Sequence, residues 1–271
     1  MHEITVEEDQ RPFVATSIAR HLLSRFKVTH EMRGISVFSG PWGMGKTKAI
    51  NAFARDAACV VATIEPGAKK GASPIALLRH VVEAVQLKCG YLGQVASFTG
   101  YWPLRNMLHA GLCRLASTEV WDGPGDHPPF SIIFDEAQYL SRDAIELIRF
   151  WNDGDSSTTP FPVGLIFVGN NEFSLEEDTY GQSTISGAVR SRALFIEPLD
   201  YSDISDQDLV LFAQSRGVAD AGAIAEIVRY YSSPRIKRDL RNVERLLASL
   251  KRRANGAAVC SSIVHEFLQP V

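Results

Sequence analysis

The chain alternates short, almost uninterrupted apolar runs with longer stretches in which apolar side chains recur every three or four positions. The runs are Ile35–Ser39 (ISVFS), Cys59–Ile64 (CVVATI), Ser131–Asp135 (SIIFD), Val163–Gly169 (VGLIFVG) and Ala193–Glu197 (ALFIE). Brief, rich in β-branched residues and apolar on both faces, they predict strands covered on each side by other elements. Helical periodicity fills the intervals at Lys46–Ala57, Pro74–Lys88, Pro103–Ser117 and Arg142–Trp151. Strands alternating with helices predict an α/β fold, with a mostly parallel five-stranded sheet and right-handed crossovers. Two stretches rich in Pro, Gly and Asp, Trp121–Pro129 and Asn152–Pro162, read as loops.

The rhythm changes after Pro198. Only helical patterns follow: Asp206–Arg216, Ala221–Tyr231, Lys237–Asn255 and Ala257–Leu268. The expected organisation is a helical lead-in over residues 1–30, an α/β core over 31–200 and a small helical lid over 201–271. Within the lead-in, FVATSIARHLLSRF reads as an amphipathic helix.

Composition narrows this picture only slightly. The 271 residues suffice for one large α/β domain with a small helical companion. No apolar run approaches the roughly 18 residues that span a bilayer. The opening MHEITVEEDQRPF is acidic and polar, unlike a secretion signal. A cytoplasmic protein without membrane association is expected. A formal net charge of −3 gives no overall attraction to nucleic acid and leaves a local basic patch as the electrostatic route. Cys59, Cys89, Cys113 and Cys260 lie far apart with no Cys-x-x-Cys pair, so they read as small buried hydrophobes.

The chemistry begins at GPWGMGKT, residues 40 to 47. It fits Gly-x-x-x-x-Gly-Lys-Thr, follows a candidate strand and opens a candidate helix. Gly40, Pro41, Trp42, Gly43, Met44, Gly45, Lys46 and Thr47 form a phosphate-binding loop whose N–H groups converge on an anion. The dipole of the following helix adds to that field. Lys46 is suited to the β- and γ-phosphates of ATP, and the Thr47 hydroxyl to Mg²⁺. A plain glycine-rich turn would not need the lysine and threonine in this order.

Further along, SIIFDEAQYL ends an apolar strand in two adjacent carboxylates, Asp135 and Glu136. Beside a phosphate loop the first suits Mg²⁺, usually through water, and the second can orient and deprotonate the attacking water. A solvated turn that caps the next helix is the plainer alternative. Asn170, in VGNN after the fourth strand, could position that water, although asparagines also suit turns. Arg190 and Arg192 precede the fifth strand. Such an arginine does not easily reach its own nucleotide, but it reaches a neighbour's in a ring or filament. A local ion pair is the alternative. In the basic stretch Ser232–Arg253, Arg241 could contact the γ-phosphate from the same chain, on a helix whose Leu240, Val243, Leu246, Leu247 and Leu250 face the core.

Taken in order, GPWGMGKT, IIFDEAQ, FVGNN, VRSR and RDLRNVERLL resemble the AAA+ ATPases from about residue 35 to 250. DEAQYLSRDAIELIRFWND, followed by a strand ending in VGN, is similar to the transposition regulators TniB, TnsC, IstB and Mu B. The resemblance implies a P-loop AAA+ core with a helical lid. It also implies an ATPase that assembles with ATP and Mg²⁺ as a homo-oligomeric ring or helical filament on double-stranded DNA. Such an assembly grips the DNA backbone without sequence preference and recruits or activates a transposase. In AAA+ assemblies one side of the core tends to face the central channel. Lys69, Lys70, Lys88, Thr99, Tyr101 and Arg105 would lie there and could contact phosphates. An AAA+ ATPase acting on protein partners, or a nucleotide-gated scaffold with little turnover, are the alternatives.

Overall fold

The computed structural model describes residues 12–65, 74–91, 95–96, 99–118, 127–153, 159–173 and 185–268. Lys69, Lys70, the first eleven residues, most of the two expected loops and the last three residues of the C-terminal HEFLQPV lie outside them. The chain folds as two compact units. One holds Leu23–Gly40 and Ile50–Leu199; the other holds the described parts of Met1–Leu22, Pro41–Ala49 and Asp200–Val271.

The first unit is built on a sheet of β1 (Ile35–Ser39), β2 (Cys59–Thr63), β3 (Ser131–Asp135), β4 (Gly164–Gly169) and β5 (Ala193–Pro198). The spatial order is β2-β3-β4-β1-β5, and every neighbouring pair is parallel. β1, β3 and β4 are buried along their whole length. Their unbroken Ile, Val and Phe runs follow from cover on both faces. α3 (Pro74–Lys88) and α4 (Tyr101–Thr118) pack against each other, and α3 lies along β2 and touches α5 (Arg142–Arg149). Ile132, Phe134, Leu165 and Phe167 share one core with Leu78, Val82, Leu104 and Leu108.

Register decides where the chemistry falls. Ser39 is opposite Gly169, and Asp135 lies between Thr63 and Val168. The C-terminal ends of β1, β3 and β4 therefore share one edge of the sheet, with Gly40 N–H donating to the Gly169 carbonyl at 3.3 Å. At the opposite edge the starts of the strands are fixed by a small polar network. Thr29 and Ser36 hydroxyls bond at 2.6 Å, and His30 Nδ1 meets Ser131 Oγ at 2.9 Å. Burial holds the His30 imidazole below its ordinary value of 6.5.

The second unit contributes α7 (Asp206–Ser215), α8 (Ala221–Tyr231), α9 (Leu240–Ala254) and α10 (Ser261–Leu268). Their stops and starts are set by caps. Ser205 and Asp208 form a reciprocal capping box at α7, Asp220 caps α8 and Asp239 caps α9. Ser17, the first residue of α1 (Ser17–Glu31), donates its N–H to Asp208 at 2.7 Å.

Five expectations are corrected in detail. α9 opens at Leu240 rather than Lys237, because Asp239 is the residue whose side chain accepts the first free N–H groups. α10 opens at Ser261 rather than Ala257, and α1 continues to Glu31. β5 is an edge strand, only partly buried, with Leu194 exposed, so its apolar run does not mark cover on both faces. Of the cysteines only Cys59 is fully buried; Cys113 is exposed on α4, where a helix turns one face to solvent whatever residue stands there.

Phe134 is fully buried and stacks on Phe167, with ring centroids 5.1 Å apart. Phe134→Ala is expected to destabilise the sheet unit by about 3–5 kcal/mol, read from the shift of its urea midpoint.

Candidate nucleotide site

The phosphate loop runs from the end of β1 into α2 (Lys46–Asp56). Gly43 and Gly45 hold φ of 75° and 89°, which side chains with a Cβ rarely adopt. A Cβ on Gly43 would lie 1.7 Å from Asp239 Oδ1. Leu240 N–H donates to the Gly43 carbonyl at 2.9 Å, and the Tyr201 hydroxyl to the Trp42 carbonyl at 3.0 Å. The loop is thereby tied to the start of α9 within one unit. Pro41 and Met44 are buried, Trp42 is exposed, and Thr47 lies exposed on the first turn of α2. The Lys46 ammonium donates to the Pro41 carbonyl at 2.7 Å, folding back over its own loop.

In the sheet unit, Asp135 ends β3 and is 4% exposed. One of its oxygens accepts the Glu136 N–H at 3.0 Å. Glu136 itself sits at φ 58°, ψ 37°, in the left-handed region. For a residue with a Cβ that costs on the order of 1–2 kcal/mol, so neighbouring bonds must hold it there. Asn170 follows β4 and is 2% exposed. Its Oδ1 accepts the Glu172 N–H at 2.7 Å, while its Nδ2 is buried with no hydrogen-bond partner. A buried donor left unpaired costs about 1–3 kcal/mol, and a phosphate oxygen or bound water is the chemistry that would relieve it. The sheet edge therefore brings Asp135, Glu136 and Asn170 together, as their positions in the sequence imply.

Sequence reasoning missed Gln138. It is 4% exposed and joins two of these residues: Nε2 donates to Glu136 Oε2 at 2.5 Å, and Oε1 accepts the Asn170 N–H at 3.0 Å. Its visible signal was a polar residue among the apolar and aromatic neighbours of the segment AQYL.

The arginines lie elsewhere. Arg190 and Arg192 belong to the short helix α6 (Gly187–Arg192), which feeds β5 at Ala193. Ala193 pairs with Ile35, at the start of β1, whereas the phosphate loop leaves after its end. Five strand residues, roughly 16 Å, separate the two edges. Arg192 pairs with Asp153 at 3.4 Å and Arg190 is half-buried. Arg241 is exposed, its N–H bonded to Asp239 Oδ1. Lys88 is exposed at the end of α3, the Thr99 carbonyl accepts from Arg79, and the Arg105 guanidinium lies 4.6 Å from the Trp102 ring centre. Tyr101 opens α4, half-buried. Among the described residues no three His, Cys, Asp or Glu side chains gather into a metal cage. Mg²⁺ at a phosphate loop requires none, since it keeps waters and takes one or two protein ligands with substrate phosphate. Among the described residues no helix is long and apolar enough to cross a membrane.

A parallel α/β sheet with a glycine-rich loop after β1 and a carboxylate pair after β3 defines the class of P-loop nucleotide-binding proteins. The AAA domain family model matches residues 29–175, over half of the chain, and the chain belongs to that family. A search of curated proteins finds no match. Among solved structures the fold resembles Drosophila ORC bound to DNA, at 13% identity and a TM-score of 0.53, covering 98% of this chain and 63% of that one. It also resembles Aeropyrum pernix ORC1 in complex with DNA (16%, 0.54, 97% and 66%). Cdc6p from Pyrobaculum aerophilum is a third such structure (12%, 0.55, 93% and 65%). The chain thus spans about two thirds of the length of these proteins.

Gly43→Ala brings a Cβ into the Asp239 carboxylate that caps α9. It is expected to lower stability by about 2 kcal/mol, the sum of left-handed strain and a disturbed cap, as measured by denaturant unfolding.

Proposed function

We propose that the chain is an ATP-dependent, DNA-binding regulator of DNA transposition, which assembles with ATP on target DNA and recruits or activates a transposase. The observation that carries the ATPase reading is the shared sheet edge. Gly40 leads into the phosphate loop there, and Asp135, Glu136 and the unpaired Asn170 amide end at that same edge.

The roles divide by residue type. The N–H groups of Trp42–Thr47 and the Lys46 ammonium hold the phosphates. Mg²⁺, held by Thr47 and Asp135 when bound, would neutralise charge developing between the β- and γ-phosphates. Glu136 takes a proton from the attacking water, and Asn170 orients that water through its Nδ2. Arg192, with Arg190, reaches the site of the next subunit. Its pair with Asp153 is exposed and worth at most about 1 kcal/mol, so exchange for a phosphate partner is cheap. Arg241 reads the γ-phosphate from the lid helices.

DNA binding is supported by two of the similar solved structures, which hold DNA. The residues assigned to it are Lys88, Thr99 and Arg105, with Lys69 and Lys70. Contacts of this type grip phosphates and read no bases. Transposition is supported by the similarity of DEAQYLSRDAIELIRFWND to TniB, TnsC, IstB and Mu B.

Lys46→Ala is expected to abolish phosphate release and ATP-dependent assembly together. Glu136→Gln is expected to bind ATP but turn it over on the order of 10²–10⁴ times more slowly, leaving persistent assemblies. Electron microscopy with and without DNA and a non-hydrolysable ATP analogue tests the larger claim. DNA-dependent rings or filaments support it. Assemblies indifferent to DNA would move the reading to an ATPase acting on protein partners.

A further inference from the structure

We infer that Gln138 is a positioning residue that couples the base Glu136 to the water-orienting Asn170, so that the two sides of the reacting water are set by one buried amide. The inference rests on the ATPase reading above and deepens it.

Gln138 lies in the single 3-10 turn Ala137–Tyr139 that follows Glu136. A buried amide is costly unless both ends are paired, and both of these ends are. The donor end meets the Glu136 carboxylate and the acceptor end the Asn170 N–H. From there the bonding continues through Asn170 Oδ1 to the Glu172 N–H. Of the side chains of this length, only glutamine offers a donor to a carboxylate and an acceptor to an N–H. Glutamate offers two acceptors, and leucine or methionine offers no donor. The neighbouring backbone leaves room for the amide. A Cβ on Gly169 would stand 3.1 Å from Gln138 Oε1 and 2.8 Å from Phe173 Cβ.

The Glu136 backbone makes the tether necessary. In its left-handed conformation the residue is held on the backbone side by Asp135 Oδ1 and on the side-chain side by Gln138. Removing Gln138 leaves the phosphate loop and Asp135 in place but releases the carboxylate from one orientation. Misplacement of a catalytic group by about 1 Å can cost 10²-fold in rate. The loss should therefore appear in turnover and not in nucleotide affinity.

The test compares Gln138→Leu and Gln138→Glu with wild type by steady-state phosphate release and by binding of a fluorescent ATP analogue, and repeats Gln138→Leu on the Glu136→Gln background in single-turnover runs. Expected is a kcat loss of roughly 10- to 100-fold with KM and analogue affinity within about 3-fold. On the Glu136→Gln background the same change should cost clearly less than on wild type, because the base, one of the two groups it positions, is already gone. Gln138→Glu keeps the acceptor for Asn170 and sets a carboxylate against Glu136. It should lose at least as much kcat, and it serves if Gln138→Leu does not fold. An unchanged kcat, a loss confined to nucleotide affinity, or an equal loss on both backgrounds overturns the inference. A wild type that binds ATP but releases no phosphate overturns the ATPase reading and this inference with it. A wild type that turns over while the Gln138 variants match it overturns this one alone.

Discussion

Parallel pairing is the constraint on which the rest depends. When every strand runs the same way, the residue that ends each strand arrives at one edge. Ser39, Asp135 and Gly169 are spread over 130 positions in sequence, yet the ladder sets Ser39 against Gly169 and Asp135 against Val168. The same geometry sends Arg190 and Arg192 to the other edge, because they precede a strand instead of following one. Direction along the sheet therefore separates the residues that end strands, Asp135 among them, from Arg190 and Arg192, which precede one. The core of Phe134, Phe167 and their helical cover fixes the register on which this division rests. A slip of one residue would turn Asp135 to the opposite face.

At that edge, polar groups are held by one another more than by solvent. Asp135 accepts from Glu136, Glu136 from Gln138, and Gln138 from Asn170. Each link satisfies a buried donor or acceptor that would otherwise be costly. Two features stay costly within the set: the left-handed backbone of Glu136, held by its bonds to Asp135 and Gln138, and the unpaired Nδ2 of Asn170. A fold selected only for stability would remove both. Their presence at adjoining positions fits a site that relieves them on a ligand.

Most of the fold was legible because buried parallel strands must be apolar on both faces, and ISVFS, SIIFD and VGLIFVG could be little else. The phosphate loop was legible because its spacing, lysine and hydroxyl are fixed by the anion. Strand order was not legible, since periodicity says nothing of which run lies beside which. β5 misled because an edge strand can carry the same apolar letters as a central one. The start of α9 was misread by three residues because Lys237 and Arg238 continue a basic pattern, whereas the helix begins where Asp239 can accept N–H groups. Gln138 was passed over because its role depends on Asn170, 32 positions away, which only the β3–β4 pairing brings near.

The second unit shows how a change at the loop would travel. Gly43 is bonded through its carbonyl to Leu240, and it has no room for a side chain beside Asp239. Asp239 is also the cap that defines where α9 begins, and Leu240 is the first of six buried residues on that helix. A shift of the loop backbone at Gly43 must then be absorbed at the cap, at a cost of about 1 kcal/mol, or carried along α9 as a rigid body. A helix with a buried stripe of Val243, Leu246, Leu247 and Leu250 resists bending more than it resists displacement. The loop and the start of α9 should therefore move together.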